Sequence, residues 1–158
     1  MKMRMHQAIL VLFVFVIYSC NTESLNNTVI LESKNATEIE NELLAIVNDY
    51  RIENGLNTLE YSSIAYKYAN LHTDYMIAKG TTNHDDFSSR ASSFTSEVNA
   101  TLVSENVAKN YADALATFKA WMNSNIHKKA IEGDFTHSAV SVKADVNGIY
   151  YCTELFYK

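Results

Sequence analysis

Residues 121–142 read WMNSNIHKKAIEGDFTHSAVSV, and the apolar period changes within them. Upstream, Leu115, Phe118, Trp121 and Met122 recur at helical spacing, which predicts a helix over 112–123 with those residues on its buried side. Downstream, Val140, Val142 and Ala144 alternate with other residues, the two-residue period of a strand. Asn147 and Gly148 suit a tight hairpin turn, and the aromatic-rich run 149–157 supplies the returning strand. Helices followed by an antiparallel hairpin argue for an α+β layered domain and against a doubly wound parallel sheet.

Working towards the N-terminus, a shorter strand is expected over 98–103, and a helix over 62–79 closed by Gly80. That helix carries Ala65, Tyr68, His72, Tyr75 and Met76 on one face. His72 among them reads as a structural, hydrogen-bonded histidine. The first helix opens at Thr37, whose spacing to Glu40 is that of a capping box, and Asn54-Gly55 stops it. Its apolar face is Ile39, Leu43, Ile46, Val47 and Tyr50.

Before that helix the chain changes character. Lys2, Arg4 and His6 precede an apolar run over 8–17, too short for a membrane span of ~20 residues. This is the pattern of an export signal. Cys20, with Ile17 three before it and Ser19 one before it, stands where a lipoprotein leader places the cysteine that becomes lipidated. The expected organisation is a signal peptide over 1–19, a polar tether over 20–36 and one domain over 37–158. Lipidation of Cys20 leaves Cys152 as the only other cysteine, so no intramolecular disulfide is expected, and Cys152 reads as a small buried apolar residue.

Composition narrows the function. A net charge of −5 and a pI near 5.5 disfavour a nucleic-acid partner. Four glycines leave little for a phosphate-cradling loop, and no motif of a serine or cysteine nucleophile or of a zinc protease helix is present. The remaining candidates are His84 in a polar loop, Glu105 between a strand and a helix, and His127 and His137 between the last helix and the hairpin. Glu and His brought together suit a divalent ion with an open coordination position, or a general acid–base pair, and spacing alone does not choose.

Several segments, in order, resemble the CAP superfamily of cysteine-rich secretory proteins, antigen 5 and pathogenesis-related 1 proteins (the SCP domain), and its bacterial branch above all. LLAIVNDYRIENGLNTLEY is similar to the family's opening helix with N-x-x-R and G-L-x-x-L, and SENVA to its G-E-N-V-A motif with Ser104 for the glycine. NHDDFSSR resembles the segment bearing the first site histidine. WMNSNIHKKAI through FTHSAVSV resembles the segment bearing the second, with Ala139 and Ser141 where the family has glycines, and YYCTELF the closing strand. The resemblance implies an α/β/α sandwich, with a central antiparallel sheet between helical layers, and a cleft lined by two histidines and two acidic residues. By motif these are His84, Glu105 and His127, with Ser124 standing where animal and plant members carry the second acid.

The leader with Cys20 and the resemblance together lead us to expect a cell-surface lipoprotein, lipid-anchored to the bacterial envelope or secreted. Its cleft of His84, Glu105, His127 and Ser124 is expected to bind a lipid, a cell-wall fragment or a protein. No cofactor is required on that reading. The alternative is a hydrolase or protease holding a divalent metal such as zinc on His84, Glu105 and His127. The missing acid at Ser124 ranks binding above catalysis.

Overall fold

The computed structural model describes residues 34–158, so the leader, Cys20 and the tether up to residue 33 lie outside the described residues. The elements are α1 (Thr37–Glu53), β1 (Glu60–Tyr61), α2 (Ser63–Lys79), α3 (Phe87–Val98), β2 (Val103–Lys109), α4 (Ala114–Met122), α5 (Asn125–Ile131), β3 (His137–Ala144) and β4 (Tyr150–Tyr157). The strands lie in the order β1-β3-β4-β2. β4 is antiparallel to both β3 and β2, while the two-residue β1 runs parallel to the start of β3. The expected antiparallel sheet therefore holds for its three long strands and carries a short parallel edge.

Strand alternation divides the core in two. Val140 and Val142 of β3, Cys152 and Phe156 of β4 and Ala108 of β2 pack with Leu43 and Val47 of α1, Trp121 of α4 and Ile131 of α5. The intervening positions face the other way, where Ala139 and Leu155 pack with Ala65 and Ala69 of α2 and Phe94 of α3. A sheet with both faces covered by helices is the α/β/α sandwich of an α+β domain.

α1 forms where the sequence places it, but its cap differs. Ala36 is the N-cap and makes no side-chain capping bond. Glu40 is instead turned inward, 6% exposed, where its carboxylate accepts from the Val142 amide (2.8 Å), Asn35 Nδ2 (2.5 Å) and the Tyr66 hydroxyl (2.9 Å). A carboxylate this buried is stable only with its lone pairs filled, and the sheet fills them better than the helix start would. The same contacts shift the expected domain boundary: Asn35 bridges Lys143, and the Ala36 amide donates to the Val142 carbonyl. The last residues assigned to the tether thus join the sheet edge.

α2 matches its signals, with the Ser62 hydroxyl accepting from the Ala65 amide and Gly80 left-handed at the end. Two elements depart from expectation. The strand expected over 98–103 is displaced to Val103–Lys109, and Glu105 lies within it. The preceding residues are taken up by α3, whose FSSRASSFTSEV sequence buries only Phe94 and so shows little apolar periodicity. α5 is a second unexpected helix, beginning three residues after α4 ends. Leu115, expected in the core, is 45% exposed, and Ala114, Thr117 and Trp121 form the buried face of α4.

Candidate functional site

β2 is an edge strand, and its Glu105-Asn106 pair sends two side chains to opposite faces of the sheet. Glu105 is paired with Leu155, so it faces α2 and α3; Asn106 is paired with Glu154 and faces α5. The site is built around this edge, with each neighbouring residue gripping one helix layer.

The Glu105 side chain is 2% exposed, and its carboxylate is fully engaged. Arg90 Nη2 reaches both oxygens, at 3.0 and 2.8 Å, and His84 Nδ1 lies 2.9 Å from Oε1. His72 Nε2 stands 3.5 Å from Oε1 and 2.8 Å from the Asn83 carbonyl. Burial alone would raise the Glu105 pKa; the His84 hydrogen bond and the positive groups around it, Arg90 foremost as a permanent charge, outweigh that and hold it below the ordinary value. Burial lowers His72, which is 1% exposed, so its ring is neutral and donates through Nε2 to the Asn83 carbonyl.

Arg90 is the residue that motif reading passed over. It sits on α3, four residues after the N-cap Asp86, which adopts a left-handed conformation (φ 56°). Arg90 Nη1 also donates to the Asp85 carbonyl, so one guanidinium ties the loop bearing His84 to the carboxylate of Glu105. The available signal was charge: Arg90 is the only Lys or Arg between Lys79 and Lys109. A buried acid on the following strand needs such a partner.

His84 and His127 approach from opposite layers. The His84 side chain is 47% exposed. His127, on α5, is half-buried; burial lowers its pKa and the charge of His84 lowers it further. The His127 carbonyl accepts from Asn106 Nδ2 at 3.0 Å, fixing α5 to the edge strand. Ser124 is the N-cap residue of α5, half-buried and without a capping hydrogen bond, so no acid stands at that corner. His137 is apart from the cleft, stacked on Tyr157 at a centroid separation of 4.7 Å and facing Glu60.

Among the described residues, His84, Glu105 and His127 are not assembled as a group of metal ligands. Both Glu105 oxygens are spent on a guanidinium, and His84 turns one nitrogen to the same carboxylate, leaving only imidazole nitrogens free. That is short of the three protein ligands of an open zinc site. Among the described residues no group of three or more His, Cys, Asp or Glu side chains is placed to hold a metal ion.

Beside this cluster lies a cleft of about 280 Å³, lined by Leu71, His72, Tyr75, Asp85, Asp86 and Arg90. Leu71 is 57% exposed there, and the Tyr75 hydroxyl donates to Asp85 at 2.8 Å. The His–Glu–Arg cluster thus has an apolar shelf next to it.

Residues 44–156 match the model of the cysteine-rich secretory protein family (CAP). A membrane protein of Bacillus subtilis, YlbC, is 30% identical over 112 residues, which is 67% of this chain and 32% of that protein; the chain spans about a third of that relative's length. Among solved structures, an outer surface protein of Borrelia burgdorferi superposes with a TM-score of 0.72 at 21% identity, covering 80% of this chain and 98% of that one. An extracellular protein of Bacillus anthracis containing an SCP domain superposes with a TM-score of 0.66 at 22% identity, covering 77% and 41%. These structural likenesses establish the fold.

Proposed function

Since the chain belongs to the cysteine-rich secretory protein (CAP) family, we propose that it is an exported bacterial surface protein whose domain binds an envelope ligand in the His84–His127 cleft. The ligand classes that suit it are a lipid, a cell-wall fragment or a protein. One observation carries the choice of binding over catalysis: both oxygens of Glu105 are occupied by Arg90 and His84. A carboxylate so held is a scaffold. It orients the His84 ring and leaves the other ring nitrogen, with His127, to meet a ligand at the open side. Leu71 and Tyr75 beside the cluster offer apolar contact to the same ligand.

Export and anchoring rest on the leader-like N-terminus and on Cys20. The relatives named as membrane, outer surface and extracellular proteins support the same compartment. No helix among the described residues is long and apolar enough to cross a membrane; the attachment we propose is through Cys20. Cys20→Ser is expected to release the protein into the soluble fraction; retention in membranes would overturn the anchor.

The binding reading is tested by titrating the mature chain with soluble peptidoglycan fragments and, separately, with phospholipid vesicles. His84→Ala and His127→Ala should each abolish whichever interaction is found. Turnover of a defined substrate by the purified protein, lost in the same two variants, would replace binding by catalysis.

A further inference from the structure

Glu154 is fully buried (0% exposed) in the middle of β4, far from solvent and not used by the cleft chemistry above. One oxygen accepts from the Ser138 hydroxyl at 2.7 Å, and the other, Oε2, has no partner. Directly opposite it in the β2–β4 ladder stands Asn106, also 0% exposed, whose Oδ1 is likewise without a partner. Side chains directly opposite in an antiparallel pair share one face of the sheet, with Cβ atoms about 5 Å apart. Two orphaned buried oxygens in such a pair are each a costly defect.

Turning the Asn106 amide over does not cure it. Nδ2 is fixed by its bond to the His127 carbonyl, which can only accept, so Oδ1 must find a donor elsewhere. Arg51 of α1 is the nearby cation, but its nitrogens are taken by the carbonyls of Asn57, Ile131, Gly133 and Phe135 and by the Asn57 amide oxygen. The other titratable group facing Glu154 is Cys152 on the same strand, whose thiol is pushed up by burial and by Glu154 itself.

We propose that Glu154 is a neutral carboxylic acid whose Oε2–H donates to Asn106 Oδ1, completing a chain from Ser138 through Glu154 and Asn106 to the His127 carbonyl. The proton satisfies both orphaned oxygens at once. Burial, only partly offset by the Ser138 hydrogen bond and the Arg51 charge, raises the Glu154 pKa to about 8, in the direction this bonding requires. Glu154 is then a positioning residue. It locks the Asn106 amide, and Asn106 holds α5, and with it His127, against the edge strand. The inference concerns the geometry of the cleft and stands whichever ligand the cleft takes.

Infrared spectroscopy on the full chain at pH 7 should show a buried protonated carboxyl band that is absent from Glu154→Gln. Gln keeps a donor for Asn106 and an acceptor for Ser138, so Glu154→Gln should retain hydrogen-exchange protection of the α5 amides from neutral to alkaline pH. In the parent protein, α5 protection relative to that variant should fall, by at most about tenfold per pH unit, as pH rises towards the Glu154 pKa of about 8, and level off above it. Glu154→Met should lose it at every pH; if that variant fails to fold, the parent and Gln comparison still decides. No protonated carboxyl at neutral pH, or no difference between parent and Gln variant as pH rises, would overturn the proposal.

Discussion

Replacing Arg90 by Met tests whether Glu105 is a charge held by its partner. The Glu105 side chain is 2% exposed and Arg90 19%, so the two ends of the pair are unequal. Loss of Arg90 strands a buried carboxylate with only His84 as a close donor, and breaking a buried pair from that side costs roughly 3–5 kcal/mol. Because the His84 bond at 2.9 Å survives, the low end, about 3 kcal/mol, is expected. Glu105→Gln leaves the less buried guanidinium to find water and should cost roughly 1–2 kcal/mol. The double variant should cost less than the sum, with a coupling of about 2 kcal/mol. Urea unfolding of the four proteins at pH 7 measures all three quantities. If Arg90→Met costs under about 0.5 kcal/mol, or the two changes add, the pair is not what fixes Glu105.

Other expectations follow from the same contacts. Glu105 is held below its ordinary pKa, so its contribution is present above the unfolded value near 4.5 and lost as pH falls through the folded one. Glu154 has the opposite sign: its contribution is full below the unfolded value near 4.5 and is lost as pH rises towards about 8. Glu154→Gln should therefore flatten the alkaline side of the stability profile and leave the acid side alone, as thermal unfolding across pH would show. Gly133→Ala should destabilise by roughly 1–3 kcal/mol in urea, because a Cβ there would sit 2.8 Å or closer to the buried Phe135 ring. Trp121→Phe removes the indole donor to the Val107 carbonyl (3.1 Å) and leaves a void, for a loss of about 2 kcal/mol by the same measurement.

What the residues disclosed in advance follows from where each signal resides. The β3–β4 hairpin and the α1 and α2 helices announce themselves, because burial on one face imposes a period and Gly55, Gly80 and Gly148 mark left-handed ends. α3 does not: eleven of its twelve residues are at least partly exposed, so serines occupy a helix that tertiary contact through Phe94 stabilises. Missing α3 displaced the strand that follows it and hid Arg90. Glu40 shows the same limit at a single residue. Its spacing from Thr37 fits a cap, yet a sheet amide 102 residues away is the better partner. Neither Glu154 nor Asn106 carries a local signal, since their pairing exists only once β2 and β4 are side by side.

The central claim is that His84 and His127 form a ligand site while Glu105 is retained by Arg90. Nitrogen-labelled imidazole resonances of the mature chain, followed by NMR as peptidoglycan fragments or phospholipid vesicles are added in the presence of a chelator, address it directly. His84 and His127 are expected to shift together with one of these probes, while His137 stays unmoved and Arg90→Met weakens the response. Shifts that vanish in chelator, and return with zinc in a Glu105-dependent way, would contradict it.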